Sequence, residues 1–342
     1  MLGMLQWGIR QSSETENYLT SIERVLEYAK LKPEKSKTSE ATKDKLVFNR
    51  KTAKNMLNAI LSNQKLKSNT EKDGKVDFKK FRFNYYENGP IILKGLDLKI
   101  RTGEKIGVVG RTGAGKSSLI SALFRVNNGI DGIIEINGEE IGNIPLKQLR
   151  HSLSIIPQEP VIFSDTIRAN LDPFSNHTDE ELWNALRQVE LIDYIKSTDA
   201  KLEYFLEERG QNFSVGQKQL VCLARALLKQ NKILLIDEAT ANVDPRTDSL
   251  IQATIRREFK KCTVITIAHR LNTIIDSDRI VVMSNGTVLE ADSPANLLSN
   301  DQSSFYQIVN QSKDAKKLMQ FALKSNAIEE VKDDDNDCLT AF

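Results

Sequence analysis

One stretch limits what this chain can fold into more than any other. Gly110-Arg111-Thr112-Gly113-Ala114-Gly115-Lys116-Ser117 lies between the apolar run Lys105-Ile106-Gly107-Val108-Val109 and the helical-looking Ser118-Leu119-Ile120-Ser121-Ala122-Leu123. It fits the pattern G-x-x-x-x-G-K-[ST] in the context that pattern needs, after a buried strand and before a helix. Glycines let backbone N–H groups curl around phosphate oxygens without Cβ clashes. The helix that follows turns its positive end to the same anion. Lys116 adds a point charge for the terminal phosphates, and Ser117 offers a hydroxyl to Mg²⁺. A glycine-rich turn that binds nothing has no use for Lys-Ser in this register. The candidate phosphate-contacting positions are Gly110, Thr112, Gly113, Ala114, Gly115, Lys116, Ser117 and Ser118.

A second feature points to the same chemistry. Ile233-Leu234-Leu235-Ile236-Asp237-Glu238 is an apolar strand ending in two adjacent carboxylates. Neighbours at a strand end point different ways, so the two acids are free to take different roles. Asp237 is placed for the magnesium shell and Glu238 for polarising a water that attacks a γ-phosphate. Taken alone, the pair would pass for a solvated strand end; with the 110–117 loop upstream, the functional reading is preferred.

Strands alternating with helices imply an α/β core with a mostly parallel sheet. Short alternating strands begin at Val76, continue through Phe81-Arg82-Phe83 and 91–100, and a further buried strand is expected at 263–267. Residues 178–230 read as helical throughout, as an inserted subdomain. Residues 11–31 read as a helix, with Leu19, Ile22, Leu26 and Ala29 at helical spacing. The stretch 32–75 is polar and Lys-rich and reads as a linker, with 52–61 capable of helix. The C-terminal stretch 329–337 is acidic, as solvated tails often are.

Composition narrows the classes. The 342 residues suffice for one large domain or two modest ones, and a net charge of +2 offers no case for a nucleic-acid partner. The three cysteines, Cys222, Cys262 and Cys338, have no metal-ligand spacing and an odd count, which fits a reducing cytosol better than a disulfide framework. No window approaches the ~20 apolar residues needed to cross a bilayer, and no signal peptide is visible.

A phosphate loop and an acidic strand occur in many enzyme classes. What discriminates is Asn212-Phe213-Ser214-Val215-Gly216-Gln217-Lys218-Gln219, upstream of Leu223-Ala224-Arg225-Ala226-Leu227. It resembles the signature of ATP-binding cassette (ABC) proteins, where two cassettes dimerise head to tail and each signature closes on the other's nucleotide. The resemblance implies a P-loop NTPase fold, with a RecA-like parallel core, an antiparallel β subdomain and an inserted helical subdomain. It implies ATP and Mg²⁺ as cofactors, with Ser214, Gly216 and Gln217 meeting the partner cassette's nucleotide. Tyr85 occupies the place of the adenine-stacking aromatic, with Tyr86 as the alternative. Gln158 matches the loop glutamine that touches magnesium and senses the membrane domain. Ala241-Asn242-Val243-Asp244 matches the loop along the dimer interface, and His269 the switch histidine on the γ-phosphate. Lys116, Gln158, Glu238 and His269 are thereby the catalytic set, and Ser117, Gln158 and Asp237 the metal set.

The resemblance is strongest to the C subfamily, the multidrug-resistance-associated proteins. It is carried by 110–119, Ser164-Asp165-Thr166-Ile167-Arg168-Ala169-Asn170-Leu171-Asp172-Pro173-Phe174, and Asp237-Glu238-Ala239-Thr240-Ala241-Asn242-Val243-Asp244. Gln6-Trp7-Gly8-Ile9-Arg10-Gln11 and Ser21-Ile22-Glu23-Arg24-Val25 resemble the exit of that family's last transmembrane helix, which implies the second of two cassettes. Residues 32–75 depart from the pattern, since the family's Trp/Pro-rich linker is absent. The expected organisation is therefore 1–31 helix, 32–75 linker, 76–312 cassette and 313–342 tail. The implied function is ATP-driven export of organic anions and xenobiotics at the cytoplasmic face of a membrane, the plasma membrane above all. The implied partners are a second cassette and transmembrane domains. Thr340-Ala341-Phe342 resembles a PDZ ligand, an unstructured tail being the alternative. Two competing readings are a soluble ABC ATPase of the chromosome or translation type, and a non-transporting ABC fragment that binds nucleotide or partners. Chromosome-type members have interrupting coiled coils and translation-type members have two cassettes in one chain; neither feature is present.

Overall fold

The computed structural model describes residues 2–31, 74–86, 88–127, 129–239, 243–268, 270–312 and 314–322. Most of the 32–75 linker, His269, residues 240–242 and the C-terminal Thr340-Ala341-Phe342 lie outside the described residues.

The chain divides into two units, residues 1–48 and 49–342. The first contains helix α1, Leu2–Ala29, which starts earlier than the apolar spacing alone marks. Its i,i+4 pair Arg10–Glu14 closes at 3.4 Å, of the kind that supports exposed helices. Leu19, Ile22 and Leu26 form its apolar stripe and are exposed. Among the described residues no helix is long and apolar enough to cross a membrane.

The second unit has two sheets. The first is antiparallel, in the order β2-β1-β4-β5, with β1 Val76–Phe83, β2 Leu93–Ile100, β4 Asp131–Ile136 and β5 Glu139–Glu140. The alternation in β1 buries Phe78, Phe81 and Phe83 on one side, with a register shift between Phe78 and Phe81 where Lys80 adopts φ 47°. The second sheet runs β10-β9-β3-β8-β7-β6. Here β3 is Lys105–Val109, β6 Leu153–Ile156, β7 Ile233–Asp237, β8 Thr263–Ile267, β9 Arg279–Ser284 and β10 Thr287–Asp292. All pairings are parallel except β9 with β10. The central strands are continuous apolar runs because both faces are covered. One face packs with the antiparallel sheet and α2 (Lys116–Leu123), the other with α4 (Ile167–Leu171), α5 (Asp179–Gln188), α6 (Ile192–Ser197), α7 (Val215–Lys229) and α8 (Pro245–Glu258). Helix α3 (Leu146–Ser152) leads into β6. The fold is the expected α/β P-loop architecture, and the carboxyl ends of β3, β6, β7 and β8 carry the segments in which ligands of such sheets sit.

Two expectations about the elements change. The block 178–230 is not helical throughout: between α6 and α7 residues 198–214 hold short 3₁₀ turns at 201–203 and 208–210 and an isolated antiparallel bridge from Phe205 to Thr166. Backbone groups there are used outside any helix. Ile167 N–H donates to Tyr204 O, Leu206 N–H donates to Asp165 O, and Asn212 Nδ2 donates to Phe205 O. Left-handed φ at Arg209 and Gly210 breaks the run as well. At the other end, α9 (Pro294–Leu298) and α10 (Ser304–Asn310) are followed by a helical stretch, 315–322. Its Leu318 and Ala322 are buried with Phe305 and Val309, so packed structure runs beyond residue 312.

Candidate active site

The loop after β3 is shaped by its glycines. Gly110 has φ 153°, and a Cβ there would lie 2.3 Å from Met283 O; Gly115 has φ 100° and serves as N-cap of α2. Gly115 has no side chain to cap that helix, so the first-turn amides of α2 are left to a ligand or to water. Thr112 and Gly113 are exposed, Ala114 is buried, and Ser117 is exposed on the first turn. Lys116 is only 7% exposed. Its Nζ donates to Gly110 O at 2.9 Å and to Arg111 O at 3.3 Å. Burial holds this ammonium below the usual lysine range, opposed by the nearby charges of Glu238 and Asp237. A buried cation already bent over the loop and facing two carboxylates fits a polyphosphate that would replace the two carbonyls as its partner.

Tyr85 is half-exposed beside that loop. Its hydroxyl is 2.9 Å from Ser118 Oγ, and its ring meets Phe83 edge-on with centroids 5.1 Å apart. Tyr86 is more exposed and lies over Gly89. The geometry therefore ties Tyr85, rather than Tyr86, to the first turn of α2.

The carboxylates come from the end of β7. Asp237 pairs in register with Ile267 of β8. Glu238 is held at φ 44°, its N–H donating to Ile267 O at 3.0 Å. Gln158, exposed just past β6, donates from Nε2 to Glu238 Oε2 at 2.9 Å. Lys116, Asp237, Glu238 and Gln158 thus converge from three separate parts of the sequence. His269 lies outside the described residues; Ala268 before it donates its N–H to Val108 O at 3.2 Å, between the ends of β3 and β8. Among the described residues no three His, Cys, Asp or Glu side chains group as a metal cage. The available donors here, a serine hydroxyl, an amide oxygen and a carboxylate, suit a hard cation that takes its remaining oxygens from phosphate and water.

The Ser-Val-Gly-Gln segment opens α7. Ser214 is its N-cap: Oγ accepts from Gln217 N–H at 3.1 Å while Gln217 Oε1 accepts from Ser214 N–H at 2.9 Å, a complete capping box. Ser214 and Val215 are exposed, but Gly216 is buried. A Cβ at Gly216 would lie 2.8 Å from Thr247 Cγ2, so this glycine seats the start of α7 against the start of α8. Phe213 is buried between Tyr194 and Tyr204. Asp244 caps α8, accepting from the N–H groups of Arg246 and Thr247.

One buried side chain beside the site makes contacts that the motif alone does not reveal. Gln219 is 1% exposed, and its Nε2 donates to both Pro157 O and Gln158 O at 3.1 Å. The available signal was a polar residue four before Leu223 and seven before Ala226, on the apolar face of α7.

The model of the family described as "ABC transporter" matches residues 93–241. The chain is 51% identical over 311 residues to ATP-binding cassette sub-family C member 4 of Mus musculus, covering 91% of this chain and 22% of that protein. It is 47% identical over 315 residues to the probable multidrug resistance-associated protein lethal(2)03659 of Drosophila melanogaster, covering 91% and 21%. The chain therefore spans about a fifth of the length of these curated relatives. Among solved structures, a bacterial Atm1-family ABC exporter with ATP bound matches at TM-score 0.65 and 35% identity, over 69% of this chain and 42% of that one. With the phosphate loop, the signature helix and the paired carboxylates in this order along the chain, and half of the aligned residues shared with sub-family C proteins, one placement is left: the chain belongs to the ABC transporter family, as a nucleotide-binding domain of its C subfamily.

Proposed function

We propose that this domain is the MgATP-hydrolysing motor of an exporter. The observation that carries the reading is the convergence of Lys116, Gln158 and Glu238: a buried ammonium over the phosphate loop, and an amide donating to the carboxylate opposite it. In this reading the loop amides from Gly110 to Ser118 hold the phosphates, and Lys116 leaves Gly110 O for their terminal oxygens. Ser117, Gln158 and Asp237 would hold Mg²⁺, which would supply neutralisation of phosphate charge. Glu238 takes the proton of the attacking water, Gln158 orients its carboxylate, and His269 contacts the γ-phosphate. Tyr85 stacks on adenine, a contact worth roughly 1–3 kcal/mol in comparable settings.

The same reading gives the domain two partners. A second cassette places its Ser/Gly/Gln signature over this nucleotide and receives Ser214 and Gln217 in exchange, while Gly216, buried against Thr247, seats the helix that presents them; the exposed Ser214 tip supports this. Transmembrane domains dock near Gln158, where Val161, Phe163 and Phe205 are each more than half exposed on segments joined by hydrogen bonds. Exposed apolar clusters of this kind mark interaction surfaces. The relatives' names, with "multidrug resistance-associated" and "exporter" among them, support outward transport; organic anions and xenobiotics as the cargo, and the cytoplasmic face of the plasma membrane as the place, are part of the proposal.

The test is direct. The purified chain is titrated with a fluorescent ATP analogue with and without Mg²⁺, and phosphate release is followed. Magnesium-dependent affinity with slow turnover is expected, since one chain supplies half of the electrostatic clamp. No magnesium-dependent binding would overturn the reading.

A further inference from the structure

The signature helix and the carboxylate site are joined through one side chain. Gln219 lies five residues into α7 from the Ser214 cap, about 7 Å along the helix axis. Both of its donated hydrogen bonds go to a single turn, at Pro157 O and Gln158 O. Its own Oε1 is buried with no hydrogen-bond partner among the described residues. A buried amide left half-satisfied is unfavourable in an otherwise apolar helix face, where leucine would pack without that defect. What distinguishes the amide from leucine here is the grip on the 157–158 backbone. That turn in turn aims the Gln158 side chain at Glu238. The path runs without a gap: Ser214 cap, rigid helix, Gln219, Gln158 backbone, Gln158 side chain, Glu238.

We propose that Gln219 is a positioning residue that holds Gln158 within reach of Glu238 and ties that contact to the position of α7. Gln219 is buried and touches neither nucleotide nor water in the proposed reaction; it acts through Gln158. The kinetic part rests on the proposed ATPase reading, while the structural part does not.

The substitution Gln219→Met removes both donors at nearly constant volume. A crystal structure of the nucleotide-free variant is expected to show Gln158 Nε2 and Glu238 Oε2 separated beyond about 3.5 Å, the limit of a hydrogen bond. Turnover is expected to fall about tenfold with MgATP affinity held within about twofold, as for a group that acts in the transition state rather than in binding. In a Gln158→Ala background the Met substitution is expected to cause no further loss, because the two lie on one path. A variant whose Gln158–Glu238 contact persists would overturn the proposal, as would losses that multiply in the double variant. Should the contact break while the unmodified chain hydrolyses no ATP, the positioning role stands and the ATPase reading fails. If Gln219→Met does not melt cooperatively, Gln219→Asn keeps the amide, shortens its reach and is read by the same crystallographic and kinetic criteria.

Discussion

Gln158 and Glu238 lie eighty residues apart in the chain, and their side chains meet at 2.9 Å. The contact exists because β6 and β7 are parallel neighbours, so both residues follow the carboxyl ends of adjacent strands. An amide that donates to a carboxylate orients it without removing its capacity to accept a proton. Glu238→Gln keeps the shape and a hydrogen-bonding partner for Gln158 but loses that capacity. Turnover is expected to fall by roughly 10²–10⁴, the usual contribution of a general base, with ATP affinity nearly unchanged. Phosphate release and equilibrium nucleotide binding, measured on the same preparation, check this; undiminished hydrolysis would remove Glu238 from the mechanism.

The tyrosine pair gives a prediction with an internal control. Tyr85 is fixed by Phe83 on one side and Ser118 on the other, whereas Tyr86 stands largely in solvent. Tyr85→Ala is expected to weaken nucleotide binding by about 1–3 kcal/mol, the worth of a ring stacked on a base. Tyr85→Phe retains the ring and loses only the hydroxyl contact, a change of about 1 kcal/mol or less. Tyr86→Ala should leave affinity where it was. Affinity that follows Tyr86 and ignores Tyr85 would reverse the assignment.

How much of this was legible beforehand varies with the physics involved. The α/β core could be read because its strands are apolar on both faces and its phosphate loop needs glycine at Gly110 and Gly115. Short-range patterns of that kind survive in a linear string. The composition of 198–214 permits a helix, but the backbone at Tyr204 and Leu206 is bonded instead to the distant Ile167 and Asp165, and no local pattern announces such bonds. Burial of Gly216 was equally hidden. A Ser-x-Gly at a helix start looks like an exposed tip, and only the arrival of Thr247 from α8 makes the glycine a packing residue. Gln219 was visible as a polar residue in an apolar stripe, but its partners, sixty residues upstream, were not.

Gly216 gives a stability test of that packing. The substitution Gly216→Ala would bring a methyl group to 2.8 Å from Thr247 Cγ2. Overpacking of this kind destabilises by about 1–3 kcal/mol. Thr247→Ser removes Cγ2, leaving the nearest neighbours at 3.3 Å, and should restore most of the loss. Urea denaturation of the two single variants and the double variant reads this out. If the serine gives no recovery, the α7–α8 contact is not what excludes a side chain at position 216.

Asp244 supplies the acid limb of the same region. The backbone N–H of Thr247 holds its carboxyl below the usual aspartate range, aided by the Thr247 side chain and the Arg246 N–H. A carboxylate capping the first turn of α8 is also favoured by the helix dipole. The sign of the effect follows from proton counting. Between the depressed folded value and the ordinary one near ~3.9, the unfolded chain binds more protons than the folded chain, so stability rises with pH across that interval. The contribution is present in full above the ordinary value and is lost as pH falls through the folded value. Asp244→Asn retains a capping oxygen but cannot titrate. The variant is therefore expected to melt near the unmodified temperature at neutral pH and to decline less steeply in acid, whereas Asp244→Ala should melt lower at neutral pH. Parallel acid limbs for Asp244→Asn and the unmodified chain would show that the capped carboxylate is not the group being titrated.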